Sequence, residues 1–283
     1  MTARTIVITG ASDGIGASAA RTLAAQGENV VVVVGRSKEK TERIAAEIGA
    51  DYFVADFAEL AQVRRLATQL REKYPRIDVL ANNAGGIMGA RELTVDGHEK
   101  TYQINHLAPF LLTTELMDVL TASKATVINT SSAANSLYGR LDIDDLDVAN
   151  KYSANLAYGN AKLENILFTA ELHHRYHAAG ISTAAFHPGV VATNFAADTT
   201  SPFRFMYRSF LNRLMLSPEQ GADTLVWLAT ATPGQEWASG AYYAKRALAK
   251  ANKQAYDPGL AKELWERSAA MVAQDVDKLD PRS

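Results

Sequence analysis

Short unbroken apolar runs and longer amphipathic stretches alternate along the chain. Residues 5–9 (Thr-Ile-Val-Ile-Thr) and 30–34 (five valines) are continuous β-branched runs. Strands that are buried on both faces of a parallel sheet read this way. Between them lies an alanine-rich helical stretch ending at Gly27, and after them a charged helical stretch over 38–48. Further strands are expected at 51–55 and 77–81, with a helix over 60–74 between them. The first 85 residues thus predict β-α-β-α-β-α-β, the order of a doubly wound sheet with right-handed crossovers. Beyond them the pattern predicts a helix over 97–120, a strand over 125–130 and a helix over 157–179. A strand over 181–186, a helix over 218–229, a strand over 241–244 and an outer helix within 258–275 follow. No repeat, linker or low-complexity tract interrupts the series, so the expectation is a single Rossmann-type α/β domain over 1–283 with about seven strands.

Composition narrows the function classes. The 283 residues are 47% hydrophobic and 21% charged, with a net charge of −2. Nothing in that balance suggests a nucleic-acid partner or a basic membrane anchor. There is no cysteine, which excludes disulfides, cysteine-ligated zinc and thiolate catalysis. The first apolar run stops at Gly10, too early for a secretory segment, and no run approaches the ~20 residues of a spanning helix. A cytoplasmic location is expected.

Two local patterns carry chemistry. Tyr158 and Lys162 stand four residues apart in a helical stretch, so both side chains leave one face. An ammonium one turn from a phenol favours the phenolate, which suits proton transfer to or from a substrate oxygen. The same spacing also occurs by chance on solvated helix faces. The second pattern is Gly10-x-x-x-Gly14-x-Gly16 between a strand and a helix, the setting in which backbone N–H groups and a helix dipole receive a pyrophosphate. At the end of the second strand, where an acidic residue would bind a ribose 2′-hydroxyl, stands Arg36. A guanidinium there suits a 2′-phosphate, so NADP is expected in preference to NAD.

Thr9-Gly10-x-x-x-Gly14-Ile15-Gly16, Asn82-Asn83-Ala84-Gly85, Asn105, Ser131-Ser132, Tyr158-x-x-x-Lys162 and Pro188-Gly189 follow in one order. Together they resemble the short-chain dehydrogenase/reductase family. The segment 157–172 with 103–110 looks most like its retinol-dehydrogenase-like branch. The resemblance implies that Tyr158 is the catalytic acid–base, that Lys162 holds the nicotinamide ribose, that Ser132 bonds the substrate oxygen and that Asn105 holds a relay water. It implies that Asp56 meets the adenine, with Asn83 and Ala84 beside its ribose, and that Thr193 meets the carboxamide. The other cofactor contacts it implies are Gly10, Ser12, Asp13, Gly14, Ile15, Gly16, Phe57, Gly85, Pro188, Gly189 and Val191. Bland readings stand beside these. Ser131 or Ser132 can start a turn, Asn105 can bond backbone, and Asn82 and Asp78 can tie strands together. His187 is expected to pack, and His173, His174 and His177 to share a solvated face.

Two features depart from the family pattern. Asp13 stands where some NADP-preferring relatives carry a basic residue, so Arg36 would act alone. Ser132 and Tyr158 are separated by an insert over 137–155 whose four aspartates alternate with apolar residues, and it is expected to be a solvated loop, with a part in shaping the pocket mouth as the other reading. The aromatic and arginine-rich stretch 194–216 is expected to be a lid over an apolar pocket, with a membrane-touching surface as the other reading. The implied activity is interconversion of a lipophilic carbonyl and alcohol. Reduction of a conjugated C=C bond and a non-catalytic dinucleotide-binding protein are the alternatives. Family members also assemble through the helices corresponding to 97–120 and 157–179, so a homo-oligomer is an open expectation.

Overall fold

The valine run explains the layering. In β2 (Asn29–Gly35), Val32 and Val34 join one apolar layer, while Val31 and Val33 join the other. Successive side chains of a strand point to opposite faces, so a continuous apolar run needs cover on both. A computed structural model describes residues 3–191 and 216–277. Its sheet contains β1 (Arg4–Thr9), β2, β3 (Asp51–Val54), β4 (Val79–Asn82), β5 (Thr126–Thr130), β6 (Ser182–Phe186), β7 (Ala241–Ala244) and β8 (Ala247–Leu248). Their spatial order is β3-β2-β1-β4-β5-β6-β7-β8. All neighbours pair in parallel except β7 and β8. The eighth strand is an addition to the expected seven. It is two residues long and returns through Lys245 and Arg246, both in the left-handed region.

One face carries α1 (Gly14–Ala25), α2 (Lys38–Ile48) and α9 (Pro218–Thr230). The other carries α3 (Leu60–Lys73), α5 (Ala108–Glu115), α8 (Ala154–Tyr176) and α10 (Pro258–Asp277). Caps set the boundaries where the site needs them. Ser37 Oγ accepts from Lys40 N to start α2, and Ser153 Oγ accepts from Leu156 N to start α8. The order in which strands are added reverses between β1 and β4, and in open α/β sheets that switch point opens a crevice at the strands' carboxyl ends.

Two sequence expectations need correction. The helix expected over 97–120 is three short pieces: α4 (Lys100–Tyr102), α5 and α6 (Met117–Ser123), with a π turn at Gln103–Leu107. Pro109 has no N–H for the carbonyl four residues back, that of Asn105, so a regular ladder fails there. The acidic insert, which includes the end of α7 (Ala134–Leu137), is docked through its apolar positions while Asp142 and Asp144 stay exposed. Leu141, Leu146 and Val148 are buried. Its carboxylates serve the fold: Asp145 accepts from Ala149 N and Asn150 N, Asp147 accepts from Glu99 N, and Asp144 pairs with Arg267. The stretch 192–215, which holds Thr193 and nearly all of the expected lid, lies outside the described residues. Among the described residues no helix is long and apolar enough to cross a membrane.

Candidate active site

The crevice at the switch point is a cleft of about 950 Å³, at the upper end of the roughly 300–1,000 Å³ usual for small-molecule sites. It is lined by Gly10, Ser12, Asp13, Gly14, Ile15, Gly16, Arg36, Asp56, Phe57, Asn83, Ala84, Gly85, Ser132, Tyr158, Lys162, Pro188, Gly189 and Val191. Every expected site residue among the described ones therefore meets there, apart from Asn105.

The floor is built by close backbone contacts. Gly10 has φ +66°, and a Cβ on it would lie 2.7 Å from Ala84 Cα. Both the angle and the space demand glycine. Thr9 Oγ accepts from Asn83 N and Ala84 N, each at 3.0 Å, which ties the loop after β4 to the glycine loop. Asp13 Oδ1 caps α1 by accepting from Gly14 N, while its Oδ2 lies 3.2 Å from Lys40 Nζ. Lys40, one turn into α2, lines the same end of the cleft as Arg36 and Ser37. The sequence reading missed it. Its only local signal was a four-residue spacing from Arg36, in a stretch with several other charges.

At the other end Lys162 is 1% exposed. Its Nζ donates to Thr130 O at 3.1 Å and sits 5.4 Å from the centre of the Tyr158 ring. Burial pushes its pKa from 10.5 down to about 7. The two neighbouring serines have different places. Ser131 is buried, and its hydroxyl donates to Lys162 O at 2.6 Å, tying β5 to α8. Ser132 is half-buried and faces the cleft; its Oγ accepts from Ala134 N at 3.2 Å, so its own O–H can turn to a substrate oxygen. Asn105 is wholly buried behind the cleft. Its Nδ2 donates to Gly86 O and Thr101 O, both at 2.8 Å, and its Oδ1 accepts from Gly86 N. The cleft is also lined by Ile87, Met88, Leu137, Tyr138 and Val190, with Asn155 as a polar residue near Tyr158. None of these five was a sequence candidate, because their only shared signal is position in the fold.

Other marked residues are structural. Asn82 Nδ2 donates to Thr113 and Asn129, joining two strands and α5, and Asp78 accepts from Thr5 N. His187 is half-buried, accepts from Gly189 N and has its pKa lowered, first by burial and then by Lys245. The rings of His173 and His177 stack at 4.4 Å. No cluster of three or more metal-ligating side chains occurs among the described residues.

Comparison with known proteins gives the family. The family model described as short chain dehydrogenase matches residues 4–202. A Streptomyces sp. (strain C5) protein named as a daunorubicin C-13 ketoreductase is 45% identical over 276 residues, spanning 95% of this chain and 92% of that one. Human retinol dehydrogenase 13 is 34% identical over 293 residues, spanning 96% and 86%. The crystal structure of an uncharacterised Mycobacterium paratuberculosis protein superposes with a TM-score of 0.75 at 33% identity, covering 95% and 93% of the two chains. The chain therefore belongs to the short-chain dehydrogenase family, as an oxidoreductase of its retinol-dehydrogenase-like branch.

Proposed function

We propose that this oxidoreductase interconverts a carbonyl and an alcohol on an apolar small molecule, with NADP preferred over NAD and Tyr158 as the acid–base. The observation that carries the reading is the meeting of Ser132, Tyr158 and Lys162 at one end of a cleft whose other end presents Arg36 and Lys40. The glycine loop and the α1 N-terminus between them fit a pyrophosphate. Arg36, Ser37 and Lys40 would hold a 2′-phosphate, and Lys162 the nicotinamide ribose. When bound, the cofactor supplies or accepts a hydride. In the reducing direction Tyr158 gives its phenolic proton to the substrate oxygen, and in the oxidising direction it takes one. The Ser132 hydroxyl donates a hydrogen bond to that oxygen as charge develops on it. Pro109 has no N–H for the Asn105 carbonyl, which supports a relay water at that carbonyl. The apolar residues lining the cleft support a lipophilic substrate, as do the carbonyl and alcohol substrates in the relatives' names.

The test is consumption of NADPH and NADH on a panel of lipophilic aldehydes and ketones, with wild type beside Tyr158→Phe. NADPH-dependent turnover should fall by roughly 100-fold or more in the variant, within the usual range for loss of a general acid. Turnover that survives the substitution would remove Tyr158 from the chemistry.

A further inference from the structure

Ser132 stands on a turn whose shape is set by residues far away in sequence. Asn135 is wholly buried. Its Nδ2 donates to Ser132 O at 2.6 Å and to the Tyr242 hydroxyl on β7 at 3.1 Å. Its Oδ1 accepts from Asn252 N at 2.9 Å. Asn252 returns the contact, its Nδ2 donating to Asn135 O at 3.0 Å and to Gly139 O at 2.8 Å. Two residues on, Gln254 brackets Leu141, accepting from its N–H at 3.0 Å and donating to its carbonyl at 2.8 Å. The segment after β8 therefore grips the stretch 132–141 along its length.

The opposite side of that stretch rests on the helix that carries Tyr158. A Cβ on Gly159 would lie 2.7 Å from Gly139 N, so the two backbones touch there. Asn160 Oδ1 accepts from Arg140 N at 2.8 Å. Ser132 and Tyr158 thus belong to two backbones in contact at 139–140, and Asn252 and Gln254 hold the other side of the first. A buried and fully bonded polar network holds one arrangement better than apolar packing does. A catalytic hydroxyl needs its position held to a fraction of an ångström.

We propose that Asn135 and Asn252 are positioning residues for Ser132, and that the segment 249–256 is a strap that sets the geometry of the catalytic turn. This rests on the reading of Ser132 given above. Asn252 allows a clean separation, because its two side-chain atoms have different duties. Oδ1 caps the 3₁₀ turn Lys253–Tyr256 by accepting from Gln254 N at 3.0 Å, while Nδ2 is the side-chain atom that holds the 135–139 stretch. Asn252→Asp keeps the cap and the backbone N–H to Asn135 Oδ1, and it loses both Nδ2 bonds.

The experiment is a double-mutant cycle on kcat, with NADPH and the best aldehyde or ketone of the panel. It compares wild type, Asn252→Asp, Ser132→Ala and the pair, alongside NADPH affinity and melting temperature. Asn252→Asp should lower kcat about tenfold, with NADPH affinity within about twofold, and it should have no further effect once Ser132 is alanine. Asn252→Ser carries the same test if the aspartate variant does not fold. Wild-type kcat in both Asn252 variants, with Ser132→Ala impaired, would overturn the positioning role and leave the catalytic reading standing. Equal losses in both backgrounds would show that Asn252 acts on something other than Ser132. Full activity in Ser132→Ala, or no turnover by wild type anywhere on the panel, would remove the reading beneath it.

Discussion

Lys162 is the residue at which function and stability pull apart. Burial lowers its pKa from 10.5 to about 7. Between those values the unfolded chain keeps the proton that the folded chain has lost. Stability contributed at this position therefore rises with pH from about 7 to about 10.5, and the full cost of the buried charge is present below about 7. Lys162→Met should raise the melting temperature at pH 7 and abolish turnover. The wild type should close that gap as the pH is raised to 10. An unchanged difference in melting temperature across that range would show that the amine is not forced to lose its proton on folding. The sequence made Lys162 legible through its spacing from Tyr158. It did not show that the amine is desolvated, because burial depends on β5 and the 83–86 loop packing over it. The same holds for Ser131, whose burial follows only once β5 pairs with β6 and its hydroxyl turns to Lys162 O.

At the scale of elements, the first turn of α2 changes the cofactor argument. Read along the chain, Arg36 stood alone and Asp13 counted against a 2′-phosphate. In the fold Asp13 meets Lys40, and the start of α2 right after Arg36 and Ser37 sets Lys40 in the same cleft. Lys40→Ala should raise the KM for NADPH about tenfold, the order of one lost charge-assisted hydrogen bond, and leave the KM for NADH within about twofold. Equal changes for both cofactors would place Lys40 outside 2′-phosphate recognition. Helix existence and order were legible from periodicity and caps, whereas the break at 103–116 was not. Apolar periodicity runs straight through it, and only Pro109 marks the failed ladder.

At the scale of the molecule, α10 closes a face that could otherwise serve assembly. Trp265 lies 5.0 Å from Phe110 on α5 and 5.7 Å from Phe168 on α8, centre to centre, and Arg175 stacks on it at 4.8 Å. Ser268 is buried against His106. The chain's own helix thus covers the two helices through which related chains were expected to pair. Light scattering after gel filtration should give the mass of one chain at micromolar concentration. A dimer that Trp265→Ala leaves intact would mean that assembly uses another face.

The sequence alone determined the layered α/β order, the glycine loop and the Tyr158–Lys162 pair, because these rest on period, spacing and local backbone demand. Each is a property of ten or so consecutive residues. Tertiary structure decided that Ser131 is buried on Lys162 O, that Lys40 joins Arg36, that the acidic insert is docked, and that Asn252 reaches Asn135 across 117 residues. Those facts depend on which distant backbones end up a few ångströms apart. Hydrogen bonding and burial act over that range in space, and no local pattern in the chain encodes it.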